Sequence, residues 1–140
     1  MKLSEIKGGG GEYLDVGIHS VFLYSYEMKE TKNGKAYANV LFKDNEGNAH
    51  FEKFFVSERA MWRVRDLALS CGTDKNYDID IVPDVSVNLT FLEGKALRIE
   101  IKKESYTDSK GEKGYNNSVK AFSPAIVQDD EEFQTSGDPF

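Results

Sequence analysis

Apolar and polar positions alternate with a period of two over most of the chain, and one segment alone changes to a helical period. From about Asp15 to Met28, Ile18, Phe22, Tyr24 and Tyr26 share one parity while Val21 and Leu23 take the other. Apolar residues on both parities predict a long strand that bends or carries a bulge, so that it serves two surfaces. Ala38, Val40 and Phe42 alternate with Tyr37, Asn39 and Leu41 along a second strand, Ala36 to Lys43. A third is expected from Ala49 to Val56, with Phe51, Lys53 and Phe55 on one face and Glu52, Phe54 and Val56 on the other. Asn33-Gly34 predicts a type I′ hairpin between the first two strands, because that dipeptide accepts two successive positive φ angles. Asn45 to Asn48 supplies the next turn, and the three strands form an antiparallel meander.

The helical period follows. Ser57 is a suitable N-cap, Glu58 suits the first turn, and Gly72 stops a helix that runs to about Ser70. Met61, Val64, Ala68 and Cys71 recur at helical spacing with Leu67 beside them, and Trp62 and Leu69 widen the stripe. Such a helix plugs the end of a barrel. Residues 73 to 85 are polar and acidic and read as a loop, after which Val85, Val87, Leu89 and Phe91 alternate as a short strand would. Leu97, Ile99 and Ile101 alternate with Arg98, Glu100 and Lys102 in a half-buried strand. A long, flexible loop is expected from Thr107 to Gly114, and a final strand from Tyr115 to Phe122.

Strand, strand, strand, helix, strand, strand is the order of a mainly β, five-stranded OB-fold barrel with one helix between strands 3 and 4. Residues 13–124 are assigned to that single domain. Residues 1–12 form a flexible N-terminal arm containing Gly8 to Gly11, and residues 125–140 a disordered acidic C-terminal tail.

Charge alters the picture once it is divided along the chain. Residues 129–140 hold five carboxylates and neither Lys nor Arg, so the formal net charge of -6 falls to -1 over the first 128 residues. Within that body, residues 28–65 carry eight basic and five acidic groups, residues 66–94 one and six, and residues 95–120 seven and four. Two basic segments therefore flank an acidic one, and local patches decide where a polyanion sits.

Aromatic rings are plentiful, with Phe 9, Tyr 7 and Trp 1. Lys32, Lys35, Tyr37, Phe51, Lys53 and Phe55 lie on or near adjacent strands; Lys102, Tyr106, Lys110, Lys113, Tyr115 and Lys120 lie on or near the last hairpin. Single-stranded nucleic acid needs both kinds of group, since lysines neutralise phosphates while ring faces stack on unpaired bases. The plainer reading keeps the aromatics in the core and the lysines on a solvated surface.

Other chemistry is weaker. Asp74, Asn76 and Asp78 imitate the opening of a calcium loop, but Ile79 and Val85 stand where Gly and Glu are required. A two-metal nuclease on Asp78, Asp80 and Asp84 is conceivable, and a solvated acidic loop explains the same residues. His19, His50, Ser57 and Cys71 form no recognisable nucleophile arrangement, and no phosphate-cradling Gly-Lys-Ser/Thr loop occurs. No enzyme, metal or cofactor is expected. The single cysteine excludes an internal disulfide, no apolar run approaches the roughly 20 residues of a membrane span, and no signal-peptide core opens the chain. A soluble, cytoplasmic protein is expected.

Asp138-Pro139-Phe140, behind the acidic run Asp129, Asp130, Glu131 and Glu132, resembles the acidic tip of bacterial single-stranded DNA-binding proteins. The Lys-Asn-Gly-Lys-Ala-Tyr hairpin, the Phe-Glu-Lys-Phe-Phe strand and the helix after it are similar to bacteriophage members of the OB-fold single-stranded DNA-binding group. The resemblance implies sequence-tolerant single-stranded DNA binding in phage replication, recombination or repair within a bacterial host cell. It also implies that Phe140 and its carboxylate dock into basic-rimmed apolar pockets on replication or recombination proteins. The linker Ala125 to Gln128 is shorter than in the bacterial pattern, and Phe133 sits inside the acidic run. A homodimer is left open. The alternative is an OB-fold protein-interaction adaptor or acidic inhibitor that binds little nucleic acid.

Overall fold

β1 (Gly17–Glu30) joins the two halves of the molecule into one sheet. Its first part, Gly17 to Phe22, pairs antiparallel with β6 (Ala96–Thr107), and its second part, Phe22 to Glu30, with β2 (Ala36–Lys43). The register with β2 slips between Leu23 and Ser25, leaving Tyr24 as the extra residue of a bulge. The slip resets the parity, so that Leu23 and then Tyr26 and Met28 all turn to the core. β3 (Ala49–Phe55) pairs with β2, and β7 (Lys113–Pro124) with β6, giving a five-stranded antiparallel sheet in the order β3-β2-β1-β6-β7. The computed structural model describes residues 12–125; the arm up to Gly11 and the tail from Ile126 lie outside that range.

Three hairpin turns share one construction. In each of Thr31–Lys35, Asp44–Asn48 and Asp108–Glu112 the first residue's N–H donates to the last residue's carbonyl at 2.8 to 3.0 Å, and its side-chain oxygen accepts backbone N–H groups inside the turn. The fourth residue, Gly34, Gly47 or Gly111, has φ of 80, 86 or 81°, which a side chain would strain. These are type I turns closed by a glycine bulge. The expected type I′ turn is thus corrected, since Asn33 keeps a negative φ. The expected long loop from Thr107 to Gly114 is corrected too: Thr107 pairs with Lys113 and Tyr106 with Gly114, so the ladder runs almost to the tip.

α1 (Met61–Ser70) buries Val64, Leu67 and Ala68, as its spacing predicts. A Schellman closure ends it: Gly72 N–H donates to the Leu69 carbonyl and Thr73 N–H to that of Ala68, both at 3.0 Å. Ser57 makes no side-chain cap; the Glu58–Ala60 stretch before α1 is a 3-10 turn. The strand expected from Val85 to Phe91 is confined to a small hairpin of β4 (Ile81–Val82) and β5 (Ser86–Val87), followed by a 3-10 turn at Thr90–Leu92.

The core is continuous. Leu23, Val40, Phe42, Phe54, Leu67, Leu89, Leu92, Leu97, Ile99 and Ile101 are at most 1% exposed. Edge strands β3 and β7 approach each other, yet no backbone ladder joins them among the described residues. A barrel closed by hydrogen-bonded strands is therefore not what forms. Side chains take the ladder's place. The Glu52 carboxylate of β3 accepts from Val119 N–H at 3.2 Å and from the Ser118 hydroxyl at 3.4 Å on β7. Arg63 of α1 donates to the Lys53 carbonyl at 3.1 Å and to the Val119 carbonyl at 3.0 Å. Edge groups that could have paired strand to strand are thus satisfied by one carboxylate and one guanidinium.

Candidate nucleic-acid interface

The β1-β2-β3 ladder sorts side chains into two faces. Met28, Ala38 and Phe54 point inward in one row, and Tyr26, Val40 and Glu52 in the next. The outward rows are Lys29, Tyr37 and Phe55; Glu27, Asn39 and Lys53; Ser25, Leu41 and Phe51; and Phe22, Lys43 and Ala49. Phe51, Lys53 and Phe55 therefore share a solvent face with Tyr37, as their parity predicts. Phe51 keeps 47% of its surface exposed. Tyr37 keeps only 9%, its ring lying 5.3 Å from that of Phe55 and beneath the Lys53 ammonium at 5.1 Å. It supports those two groups and offers no free face of its own.

Lys32 and Lys35 stand exposed in the β1-β2 turn, at the end of this face. The fold adds groups that alternation alone did not single out. The bulge pushes Tyr24 outward, 51% exposed, where the Lys43 ammonium sits 3.9 Å from its ring centroid. Phe22 lies 6.2 Å from the same ring. A register slip is invisible to parity counting, which explains why Tyr24 and Lys43 were missed. Glu27, 3.7 Å from Lys29, offsets part of the charge.

The second cluster stands on the β6-β7 hairpin. From Lys102 to Asn117 every residue except Gly114 is exposed, so this ribbon projects beyond the core. Lys102 and Tyr106 share one face with Glu104, while Lys113 and Tyr115 share the other with Lys103. The two tyrosines therefore face opposite ways. The Tyr106 ring lies across Gly114 so closely that a Cβ there would fall 2.5 Å from it. Lys110 occupies the tip. Lys120, at a register shift in β7, is bound by Glu104, and Lys102 lies 3.9 Å from Glu100. Among the described residues, Lys32, Lys35, Lys53, Lys110 and Lys113 form no ion pair.

The β3-β7 seam joins the two clusters. Glu52, 8% exposed, accepts from His50 Nε2 at 2.7 Å and from Arg63 at 2.8 Å in addition to β7. Burial would raise its pKa; the hydrogen bonds from His50, Arg63 and Val119 N–H, together with the Arg63 charge, outweigh burial and hold the carboxyl below its usual range. Arg63 also stacks on Phe54 and Phe122, 5.0 and 5.7 Å from their centroids. The signal was present in the sequence: Glu52 sits on the parity of Phe54 and Val56, and a carboxylate on a core face needs a buried partner.

Elsewhere α1, Tyr77, Ile79 and Phe91 enclose an apolar cleft of about 360 Å³. The Tyr77 and Phe91 rings stack at 4.5 Å, and Arg65 and Lys75 reach the cleft wall beside Trp62, which is 58% exposed. Asp78 and Asp80 are exposed, and Asp84 occupies the β4-β5 turn. Among the described residues no three His, Cys, Asp or Glu side chains gather as metal ligands would. Burial pushes the Cys71 thiol up to about 11, with Lys95 pulling weakly the other way, so it stays protonated near neutrality. No helix among the described residues is long and apolar enough to cross a membrane. The tail residues Asp129 to Glu132 and Asp138 to Phe140 lie outside the described range. No family model matches the chain, and no curated protein sequence matches it significantly.

Proposed function

We propose that this chain binds single-stranded DNA with little sequence preference, acting by binding rather than by catalysis and without a cofactor. The observation that carries the reading is the outward face of β1-β2-β3, where Phe51, Phe55 and Tyr24 lie among Lys53, Lys43, Lys32 and Lys35. Ring faces take unpaired bases and ammonium groups take phosphates, and neither needs a particular base. The β6-β7 hairpin extends the path with Lys102, Tyr106, Lys110, Lys113, Tyr115 and Lys120. Strand order, and a helix between the third and sixth strands, support an OB-like arrangement whose closing ladder is replaced by the Glu52-Arg63 seam.

The same proposal gives the tail a partner-binding role. Phe140 supplies apolar burial and Asp129 to Glu132 and Asp138 supply attraction to replication or recombination proteins in the cytoplasm of a bacterial host. A titration with a poly-dT oligonucleotide across salt concentrations tests the DNA reading. Equal affinity for single and double strands, or no binding at low salt, overturns it.

One observation favours a second reading, a protein-interaction module: the open apolar cleft beside Trp62 and Tyr77. Replacing Lys32, Lys35 and Lys53 together with Glu separates the two. It abolishes DNA binding under the first reading and leaves partner binding intact under the second.

A further inference from the structure

At the end of the outward β2-β3 face, beside the β1-β2 turn, lies a hollow of about 570 Å³ lined by Lys35, Phe55, Ser57, Arg59 and Asp84 among others. Asp84 reaches it from the small β4-β5 hairpin, anchored by its N–H to the Val56 carbonyl at 3.0 Å. Val82-Pro83-Asp84-Val85 is a tight turn closed by Val85 N–H on the Val82 carbonyl at 3.0 Å. Asp84 has φ of 64° and is the one non-glycine residue of positive φ among those described. Its position is where such a turn favours Gly, so the chain carries a carboxylate at some conformational cost. Among the described residues, Asp84, Lys35 and Arg59 form no ion pair with one another. A ring, two cations and an acceptor-only carboxylate therefore line one hollow.

We infer that this hollow is a subsite for one unpaired guanine of the bound strand, an inference that rests on the single-stranded DNA reading. Phe55 already belongs to the stacking face, and Lys35 and Arg59 meet the phosphates on either side of the base. Asp84 reads the base. A carboxylate accepts two parallel hydrogen bonds only from an edge with two adjacent donors, and guanine alone has this on its Watson–Crick edge, at N1–H and the N2 amino group. Adenine and cytosine offer an amino group beside a ring acceptor, and thymine a lone N3–H between two carbonyls. Adenine, cytosine and thymine thus gain at most one bond, and the ring acceptors and carbonyls face the carboxylate unfavourably.

The test compares two fluorescein-labelled oligonucleotides of the same length, all thymidine and thymidine with one central guanosine, on the full chain. The single guanosine tightens binding by roughly fivefold to tenfold, the lower end of bidentate base discrimination. Replacing guanosine by inosine, which lacks the N2 amino group, removes most of the gain. Asp84→Gly relieves the positive φ while deleting the carboxylate, so it folds at least as readily, and it abolishes the gain while keeping affinity for the all-thymidine strand. Equal binding of the two oligonucleotides to the unaltered chain overturns the subsite alone, as does a gain that survives in Asp84→Gly. Binding of neither oligonucleotide overturns the DNA reading and the subsite together.

Discussion

Phe51 and Glu52 are neighbours in β3 whose side chains point to opposite faces, and they carry opposite tasks. Phe51 is half exposed on the outward face, so Phe51→Ala removes a stacking surface without opening the core. Its affinity for single-stranded DNA is expected to fall by about 1 to 3 kcal/mol, with stability changed by about 0.5 kcal/mol or less; titration and thermal melting read the two separately. Glu52 is tied into the seam. Its carboxyl is held below the ordinary value of 4.5, so the folded state gains stability from it above that value and loses it as pH falls through the depressed pKa. Glu52→Gln removes the charge and leaves the partly buried Arg63 guanidinium at the seam without its counter-charge, and is expected to cost about 2 kcal/mol at neutral pH. The variant's melting temperature should also vary less between pH 6 and the acid range than that of the unaltered chain. An equally steep acid dependence in both would assign acid lability to other carboxylates.

The β6-β7 hairpin is held by its ladder and by cross-strand contacts, because beyond Ile101 and Val119 nothing on it is buried. Gly114 lets the Tyr106 ring cross the ribbon, and any Cβ there displaces the ring. Gly114→Ala is expected to weaken single-stranded DNA binding several-fold while shifting the melting temperature by no more than a few degrees. A large loss of stability would show the ribbon to be coupled to the core. The three hairpin turns show what was readable at this scale. Thr or Asp at the first position and Gly at the fourth recur in Thr31–Lys35, Asp44–Asn48 and Asp108–Glu112. Asn33-Gly34 marked a turn but suggested the wrong type, because the side chain four residues before the turn's end takes the N–H groups that a two-residue turn would leave to the strands. Thr107 to Gly114 looked like a flexible loop because polar residues on an unburied ribbon lack apolar alternation, although their backbones pair as regularly as those in the core.

Across the whole molecule, charge is patterned locally: Asp84 of the acidic segment lines the same hollow as Lys35 and Arg59. If Lys32, Lys35, Lys53, Lys110 and Lys113, which form no ion pair among the described residues, meet phosphates, the logarithm of affinity should fall with the logarithm of salt concentration with a slope of about -3 to -4. Truncation after Gln128 removes five carboxylates, and it is expected to tighten binding at low salt if the tail competes for the lysines; an unchanged affinity leaves the tail its partner-binding role alone. Alternation and helical spacing by themselves determined six principal elements, the division of β2 and β3 into two faces, and the buried stripe of α1, since these follow from which side chains leave water. Only the tertiary structure decided that the slip at Tyr24 adds a ring and Lys43 to the outward face, that Tyr37 is covered, and that Tyr106 and Tyr115 face apart. It also decided how the sheet's edges meet. A lone carboxylate on a core face announces a partner but not which one, and Arg63 became that partner because α1 lies across the gap between β3 and β7.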